Sequence, residues 1–224
     1  MPRTSIFVLT AAAAAAACAL SACGPVRIGA AAISGGERIT VTTLSDQVSN
    51  LERAFQAGKG IQLQFPLARA PQQVLGWLLR FQIRDELAVR NHVVVTTGES
   101  QRALTALARQ TGRTGPAFVQ LAVANGLAPD MLPALGRYEA IQNEEFIRLN
   151  GGTPPRTQAR IQALSAQFSH RECVAAKSLN IQVNPQFGQM DYGTLAVIPA
   201  ATPLSAPRVP SPSPTPKPQL TPAC

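Results

Sequence analysis

Prolines and glycines divide the middle of the chain into segments of helical length, and this punctuation limits the fold more than any other feature. Proline lacks a backbone N–H group and is tolerated in the first turn of a helix, whereas glycine readily ends one. The residues that open segments are Pro71, Pro116, Pro129 and Pro154-Pro155, and those that end segments are Gly58-Lys59-Gly60, Gly126 and Gly151-Gly152. We therefore predict a mainly α fold of the α+β class, a helical bundle of about five to six helices.

The segment that Pro71 opens is predicted as the central helix of this bundle, ending at about His92. Its apolar residues cover one broad side of a helical projection. They are Val74, Leu75, Trp77, Leu78, Leu79, Phe81 and Ala88. Asp85 projects onto the same side, and we expect it to pair with an arginine or to lie at the bundle end rather than to act in catalysis.

Short strands are predicted at both ends of the helical region. Residues 27–33 and 38–41 flank Ser34-Gly35-Gly36-Glu37, which favours a β-hairpin because the two glycines supply the positive φ angles of a tight turn. Residues 178–183 return to strand-like alternation. A minor sheet could join the hairpin to this last strand. Thr42 or Thr43 is predicted to cap the helix after the hairpin, whose apolar face is Leu44, Val48, Leu51 and Phe55.

The first 22 residues are typical of a secretory signal peptide. Residues 6–20 carry no charge, and a run of this length is too short for a stable membrane span. The following Leu20-Ser21-Ala22-Cys23 resembles the bacterial lipobox. This resemblance implies cleavage before Cys23, a lipid thioether on its sulfur, and attachment to the outer face of the cell membrane without a membrane-spanning helix.

The C-terminal stretch, residues 199–224, is predicted to be a disordered tail with polyproline character. It holds nine prolines among twenty-six residues, so it can neither build a sheet nor bury apolar surface. The folded domain should therefore occupy residues 23–198. Of the cysteines that remain after Cys18 leaves and Cys23 is lipidated, Cys173 is expected to be partly exposed. A bond between Cys173 and Cys224, intermolecular bonds and free thiols all remain open.

Few residues suggest catalysis or metal binding. His170 and Cys173 share helical spacing, but no second cluster completes a metal site, and the Glu144-Glu145 pair is expected on a solvent-facing helix surface. No nucleophile elbow or phosphate-binding glycine loop occurs. We expect neither enzyme activity nor a cofactor. The net charge is +8, with basic residues scattered rather than clustered, which favours anionic lipid or acidic polymers over nucleic acid.

The order of elements resembles the SurA-type N-terminal chaperone domain. The matching segments are Gly36-Glu-Arg-Ile-Thr40, the helix containing Leu78-Leu79 that leads to Val93-Val94-Val95-Thr96, and Ile181-Gln-Val-Asn-Pro-Gln-Phe-Gly188. Gln186 and Phe187 stand where that family usually has arginine and tyrosine. The resemblance covers residues 27–193 and implies a chaperone-like fold. We expect no prolyl isomerase activity, because the chain lacks room for the parvulin domain that such foldases carry.

These features predict a membrane-anchored lipoprotein that binds unfolded or exported polypeptides without catalysis. An apolar groove would serve this function, and Phe55, Trp77 and Phe81 are candidates for client contact, although the apolar pattern favours a place in the core for each of them. The alternative is an envelope scaffold or ligand-binding lipoprotein that docks one specific cell-envelope partner.

The anchor prediction is tested by Cys23→Ala, which removes the sulfur that the lipid would occupy. We expect this variant to leave the membrane fraction, because the chain would then lack acyl chains. Ser21→Ala, which keeps a small residue beside the cleavage site, is the matched control and should stay in the membrane fraction. Membrane retention of Cys23→Ala, measured by fractionation, would contradict the prediction.

Overall fold

The computed structural model describes residues 29–200, which form a helical bundle with two small antiparallel sheets. This confirms the predicted fold class. The strands are β1 (Ala30–Ser34), β2 (Glu37–Thr40), β3 (Gln182–Val183), β4 (Gln189–Asp191) and β5 (Ala196–Ile198). The helices are α1 (Val41–Ala57), α2 (Ala70–Arg90), α3 (Thr97–Gln110), α4 (Pro116–Ala124), α5 (Leu132–Leu149) and α6 (Gln158–Ser178). The predicted signal peptide, Cys23 and the predicted tail beyond Ala200 lie outside the described residues.

The larger sheet joins the two ends of the described chain, in the order β2-β1-β3. Gly35 and Gly36 connect β1 to β2 with φ angles of +59° and +86°, as the predicted tight turn requires. On the other side of β1, Ala32 pairs with Val183. The predicted hairpin and its pairing with the last predicted strand are therefore confirmed, although this strand covers only residues 182–183 of the predicted 178–183.

A second hairpin, β4 with β5, was not predicted. Gly188 precedes it in a positive-φ conformation, and a Cβ atom there would lie 2.2 Å from the Ile198 carbonyl oxygen. Before this glycine, Asn184 donates its side-chain amide to Ala30 and its backbone N–H to Ala31, fastening the end of β3 to β1. The segment from Ile181 to Gly188 thus closes the sheet and turns the chain into the second hairpin.

Two predicted helix starts are wrong by a few residues. Thr40, rather than Thr42 or Thr43, caps α1, and its hydroxyl accepts a hydrogen bond from the Thr43 N–H at 2.9 Å. The helix begins directly after β2, so the last strand residue becomes the cap. Helix α6 starts at Gln158 with Thr157 as its cap, because a threonine hydroxyl can satisfy a free N–H group at the helix start.

Helix α2 runs through the centre of the bundle, as predicted. Its residues Val74, Leu75, Ile83 and Leu87 are buried, and β1, α1, α5, α6 and β5 all pack against it. Helices α3 and α5 pack against each other over the most extensive helix–helix contact among the described residues. There, Gly136 lies so near the Ser100 carbonyl that an added Cβ atom would sit 2.6 Å from its oxygen.

The largest buried charged side chain is Arg84 of α2, which is 2% exposed and lies between α5 and α6. Its Nε and Nη2 atoms donate to Glu172 Oε1 at 3.0 and 2.9 Å, while Nη1 donates to the Tyr138 carbonyl and to Gln142. The guanidinium carbon also lies 3.6 Å from the centre of the Tyr138 ring and 4.5 Å from that of Phe168. One side chain therefore ties three helices together.

A second buried acid lies between α5 and α6. Glu145 is fully buried, so the expectation that it faces solvent is wrong. Its carboxylate lies 3.3 Å from Arg171 and 3.9 Å from Arg148, and these two arginines offset the loss of hydration. By contrast, Asp85 forms an ion pair with Arg137 at 2.7 Å with both side chains nearly half exposed, which confirms the predicted pairing with an arginine.

Cys173 is also better covered than predicted. It is 3% exposed rather than partly exposed, and its sulfur is in a disulfide bond. The helical projection placed this residue away from the apolar face of α6, but Glu172, Cys173, Ala175 and Ala176 are all buried. The end of α6 is therefore covered on more than one side.

The buried Arg84–Glu172 pair and the exposed Arg137–Asp85 pair allow a matched stability test. Arg84→Met should lower the free energy of unfolding by about 3–5 kcal/mol, because it leaves the Glu172 carboxylate buried without its cation. Arg137→Met, the same change in the exposed pair, should cost less than about 1 kcal/mol. Urea unfolding of the purified variants measures both. Equal losses of unfolding free energy in the two variants would contradict the prediction that burial makes the Arg84–Glu172 pair the more stabilising of the two.

Candidate binding pocket

An apolar pocket of about 270 Å³ opens between α2, α3, α4 and α5. Its floor is buried, with Phe118 and Leu135 almost fully covered, whereas Trp77, Leu107 and Leu121 at its walls keep part of their surface exposed. The residues that line it are Trp77, Leu107, Thr111, Phe118, Leu121, Ala122, Asn125, Leu127, Leu135 and Glu139. We call this the Trp77 pocket.

Trp77 is held in one orientation by polar contacts at its edge and face. The indole N–H donates to the Asn125 carbonyl oxygen at 3.1 Å, and the Arg80 guanidinium lies 5.2 Å from the indole centre. Arg80 is itself fixed, because its Nε donates to the Leu195 carbonyl at 3.1 Å. The ring therefore offers a rigid apolar surface whose polar atom already has a partner.

Three aromatic rings connect this pocket to the buried arginine. The Trp77, Phe81 and Tyr138 centres are 5.9–6.2 Å apart, and Tyr138 meets Trp77 and Phe81 edge to face. The Tyr138 ring also contacts the Arg84 guanidinium. Burial raises the pKa of the Tyr138 hydroxyl, which Arg84 partly opposes. Tyr138 thus links Trp77, which forms a wall of the pocket, to Arg84 and its hydrogen-bond partners.

The three predicted client-contact residues have different positions. Trp77 lines the pocket, and Phe81 contacts Trp77 from outside the lining. Phe55, on α1, packs against the core and does not line the pocket. All three are partly buried. The structure therefore brings Trp77 and Phe81 together and leaves Phe55 apart.

Sequence reasoning missed the walls that α3 and α4 provide. Phe118, Leu121 and Ala122 have the spacing of one helical face, a signal that was present in the sequence. Leu107 lies on the weaker helix α3. That these faces leave a gap between them depends on how the helices cross, which periodicity does not specify.

Glu139 is the one carboxylate that lines the Trp77 pocket. Burial raises the pKa of this carboxyl above its ordinary value; the charge of Arg84 opposes this shift, and that of Glu172 adds to it. Within residues 29–200 it forms neither a hydrogen bond nor an ion pair. The pocket therefore combines apolar walls with an acid that lacks a close cationic partner there.

The described residues give no indication of a metal site or of a membrane-spanning helix. No three histidine, cysteine or acidic side chains in residues 29–200 converge to hold a metal ion, and the Cys173 sulfur is already bonded to another sulfur. No helix in the same range has the length and apolar character needed to cross a membrane. Comparison with known families, curated proteins and solved structures finds no match for this chain.

The raised pKa of Glu139 predicts a pH-dependent effect on stability. Between the ordinary glutamate pKa of 4.5 and its raised folded value, the folded chain holds more protons than the unfolded chain, so this residue lowers stability as pH rises. Glu139→Gln should therefore raise the unfolding temperature at pH 7 and leave it nearly unchanged at pH 3.5. The exposed Glu37→Gln is the control. An equal shift at both pH values would contradict this interpretation.

Proposed function

We propose that this protein is a membrane-tethered lipoprotein whose helical domain binds apolar segments of exported polypeptides without catalysis. The observation that carries the proposal is the Trp77 pocket, an apolar opening whose rigid indole wall remains partly exposed on the folded domain. The lipobox-like sequence ending at Cys23 supports a location of the domain on the outer side of the membrane. The resemblance to SurA-type chaperone domains in the order of elements supports the same function.

The apolar lining favours a side chain of the client rather than a polar ligand. Leu107, Leu121 and Trp77 form walls whose contact with water is unfavourable, and an entering leucine- or phenylalanine-sized group would cover them. A volume of about 270 Å³ fits one or two such side chains and is small for a folded partner. The client is therefore an unfolded or extended segment that inserts one apolar anchor at a time.

Glu139 adds a preference for client segments that carry a positive charge next to the apolar anchor. An acid at the wall of an apolar pocket is stabilised when a cation approaches it, and no described residue provides a hydrogen bond or ion pair there. Segments that carry lysine or arginine next to the apolar anchor should therefore bind more tightly than segments with an acid at that place. Glu139→Gln should abolish this difference and keep the binding of neutral apolar segments.

The anchor also sets where binding takes place. Only seven peptide units separate Cys23 from Ala30, so β1 begins at most about 25 Å of chain from the lipidated residue. A domain held this close to the membrane would meet polypeptides as they emerge. Its net positive charge would favour contact with anionic headgroups.

Suppression of the aggregation of a denatured exported protein tests the proposal. Leu121→Lys puts a cation inside the Trp77 pocket and should weaken client binding about tenfold, since a buried leucine contributes about 1.5–3 kcal/mol. Gln120→Lys adds the same charge on the exposed neighbouring position of α4 and should keep full activity. Circular dichroism checks that both variants are folded.

The results also distinguish the alternative function. If the wild-type domain fails to suppress aggregation at stoichiometric excess, client holding is wrong. Co-purification of one defined envelope protein, lost in Leu121→Lys and kept in Gln120→Lys, would instead assign the pocket to a scaffold with a single partner.

A further inference from the structure

A second pocket, of about 270 Å³, lies where the turn between β1 and β2 meets α2 and the end of α6. Its lining includes Ser34, Glu37, Gln82, Asp85, Glu86 and Leu179, and we call it the Ser34 pocket. Glu86 follows Trp77 by nine residues, which places it about half a turn around α2 and about 14 Å along it. The Ser34 pocket is therefore separate from the Trp77 pocket.

Two buried oxygen atoms at the Ser34 pocket have no hydrogen-bond partner among the described residues. Ser34 is 2% exposed, and its hydroxyl group is unpaired. The side-chain oxygen of Gln82 is also buried and unpaired. The two residues come from different elements, β1 and α2, and line the same pocket. Because a buried polar group without a partner is costly, the two oxygens indicate a ligand that supplies hydrogen-bond donors.

Three carboxylates line the same pocket. Asp85 and Glu86 each use one oxygen in an ion pair, with Arg137 and Arg90 respectively. The Glu37 carboxylate forms neither a hydrogen bond nor an ion pair within residues 29–200. None of the described residues that line the pocket is basic, although the chain carries a net charge of +8. The Ser34 pocket therefore favours a ligand with positive charge.

Apolar side chains also line the Ser34 pocket. Leu179, which follows α6, packs on the hairpin turn so closely that a Cβ atom on Gly35 would lie 2.6 Å from its Cδ2 atom. The Gly35 N–H donates to the Leu179 carbonyl oxygen at 2.7 Å, which fixes this wall. Val89 of α2 lines the pocket as well and is 70% exposed. An aliphatic chain attached to the cation would cover these two side chains.

We propose that the Ser34 pocket binds an alkylammonium group, carried by a lysine side chain of a polypeptide or by a free linear amine. An ammonium group has three donors that point in different directions. The pocket offers three acceptors on separate side chains, namely the Ser34 hydroxyl, the Gln82 oxygen and a carboxylate. The methylene groups of the ligand then lie against Leu179 and Val89. This site does not depend on client binding at the Trp77 pocket.

Other cations match the Ser34 pocket less well. A guanidinium group is planar and suits the two oxygens of one carboxylate, whereas the unpaired oxygens here belong to a hydroxyl and an amide. Asp85 and Glu86 are adjacent on a helix, so their side chains point about 100° apart rather than converging on one ion. In the described part of the chain, no three metal-ligating side chains come together.

Titration of the full exported chain with n-butylamine tests the proposal, and tetramethylammonium is the matched control. Both carry one positive charge at neutral pH, but tetramethylammonium has no N–H donor. We expect n-butylamine to bind and to shift the NMR signals of Ser34, Gly35 and Gln82, and tetramethylammonium to bind at least about tenfold more weakly. No binding of n-butylamine, equal binding of both, or shifts confined to other residues would overturn the proposal.

The source of the ammonium group is distinguished by a short peptide that contains one lysine. Its control is the same peptide with norleucine in place of lysine, which keeps the aliphatic chain and lacks the charge. Tighter binding of the lysine peptide than of n-butylamine would assign the site to polypeptides. Weaker binding of the lysine peptide than of n-butylamine would assign it to free amines. Equal binding of the lysine and norleucine peptides at this site would overturn the role of the ammonium group.

Substitutions separate ligand binding from a structural role. Ser34→Ala should weaken n-butylamine binding about tenfold and should not lower the unfolding temperature without amine, because no described residue pairs with the hydroxyl. Ser45→Ala, at an exposed position of α1, should change neither quantity. Glu37→Gln, at an exposed position that does not endanger folding, should weaken binding about two- to fivefold. Full affinity in both Ser34→Ala and Glu37→Gln would overturn the proposal, as would a lower unfolding temperature of Ser34→Ala with unchanged affinity.

Discussion

The arrangement of the three longest helices depends on the guanidinium of Arg84. A buried cation is tolerated only when its N–H groups meet acceptors, and here α6 provides the carboxylate of Glu172 while α5 provides the Tyr138 carbonyl and Gln142. A helix that slid by one turn would leave a charge without its partner in an apolar interior. Leucine and isoleucine contacts are less selective, because they tolerate small shifts. The charge cluster therefore specifies which register the apolar core adopts.

The positions of proline and glycine predicted most of the architecture, because these residues act through the local backbone. Pro116 begins α4, Gly58 follows α1, and Gly35-Gly36 forms the hairpin turn, all where the sequence placed them. The second hairpin was missed because its strands of three residues are too short to show a recognisable alternation, and β5 is stabilised by packing on α2. Tertiary contacts of this kind leave no local pattern.

The buried charges show a different limit of pattern reasoning. Arg84 lies seven residues after Trp77, on the same face of α2, so its position was available from the helical projection. Treating charged residues as outward-facing hid both this residue and Glu145. Of the candidate contact residues, Trp77 lines the pocket, whereas Phe55 has the same apolar character and lies elsewhere. Composition identifies candidates, whereas helix crossing decides which of them face a gap.

The placement of β1 in the middle of its sheet affects the order in which the chain can fold as it emerges from its N-terminus. The amide of Asn184 reaches the Ala30 carbonyl across 154 residues of sequence, so one edge of β1 stays open until nearly the whole domain has emerged. During that interval the β1–β2 hairpin is an unprotected strand edge, too small to be stable alone. The protein would thus pass through the same aggregation-prone condition as the polypeptides it is proposed to hold, and would depend on rapid emergence of its own C-terminal half.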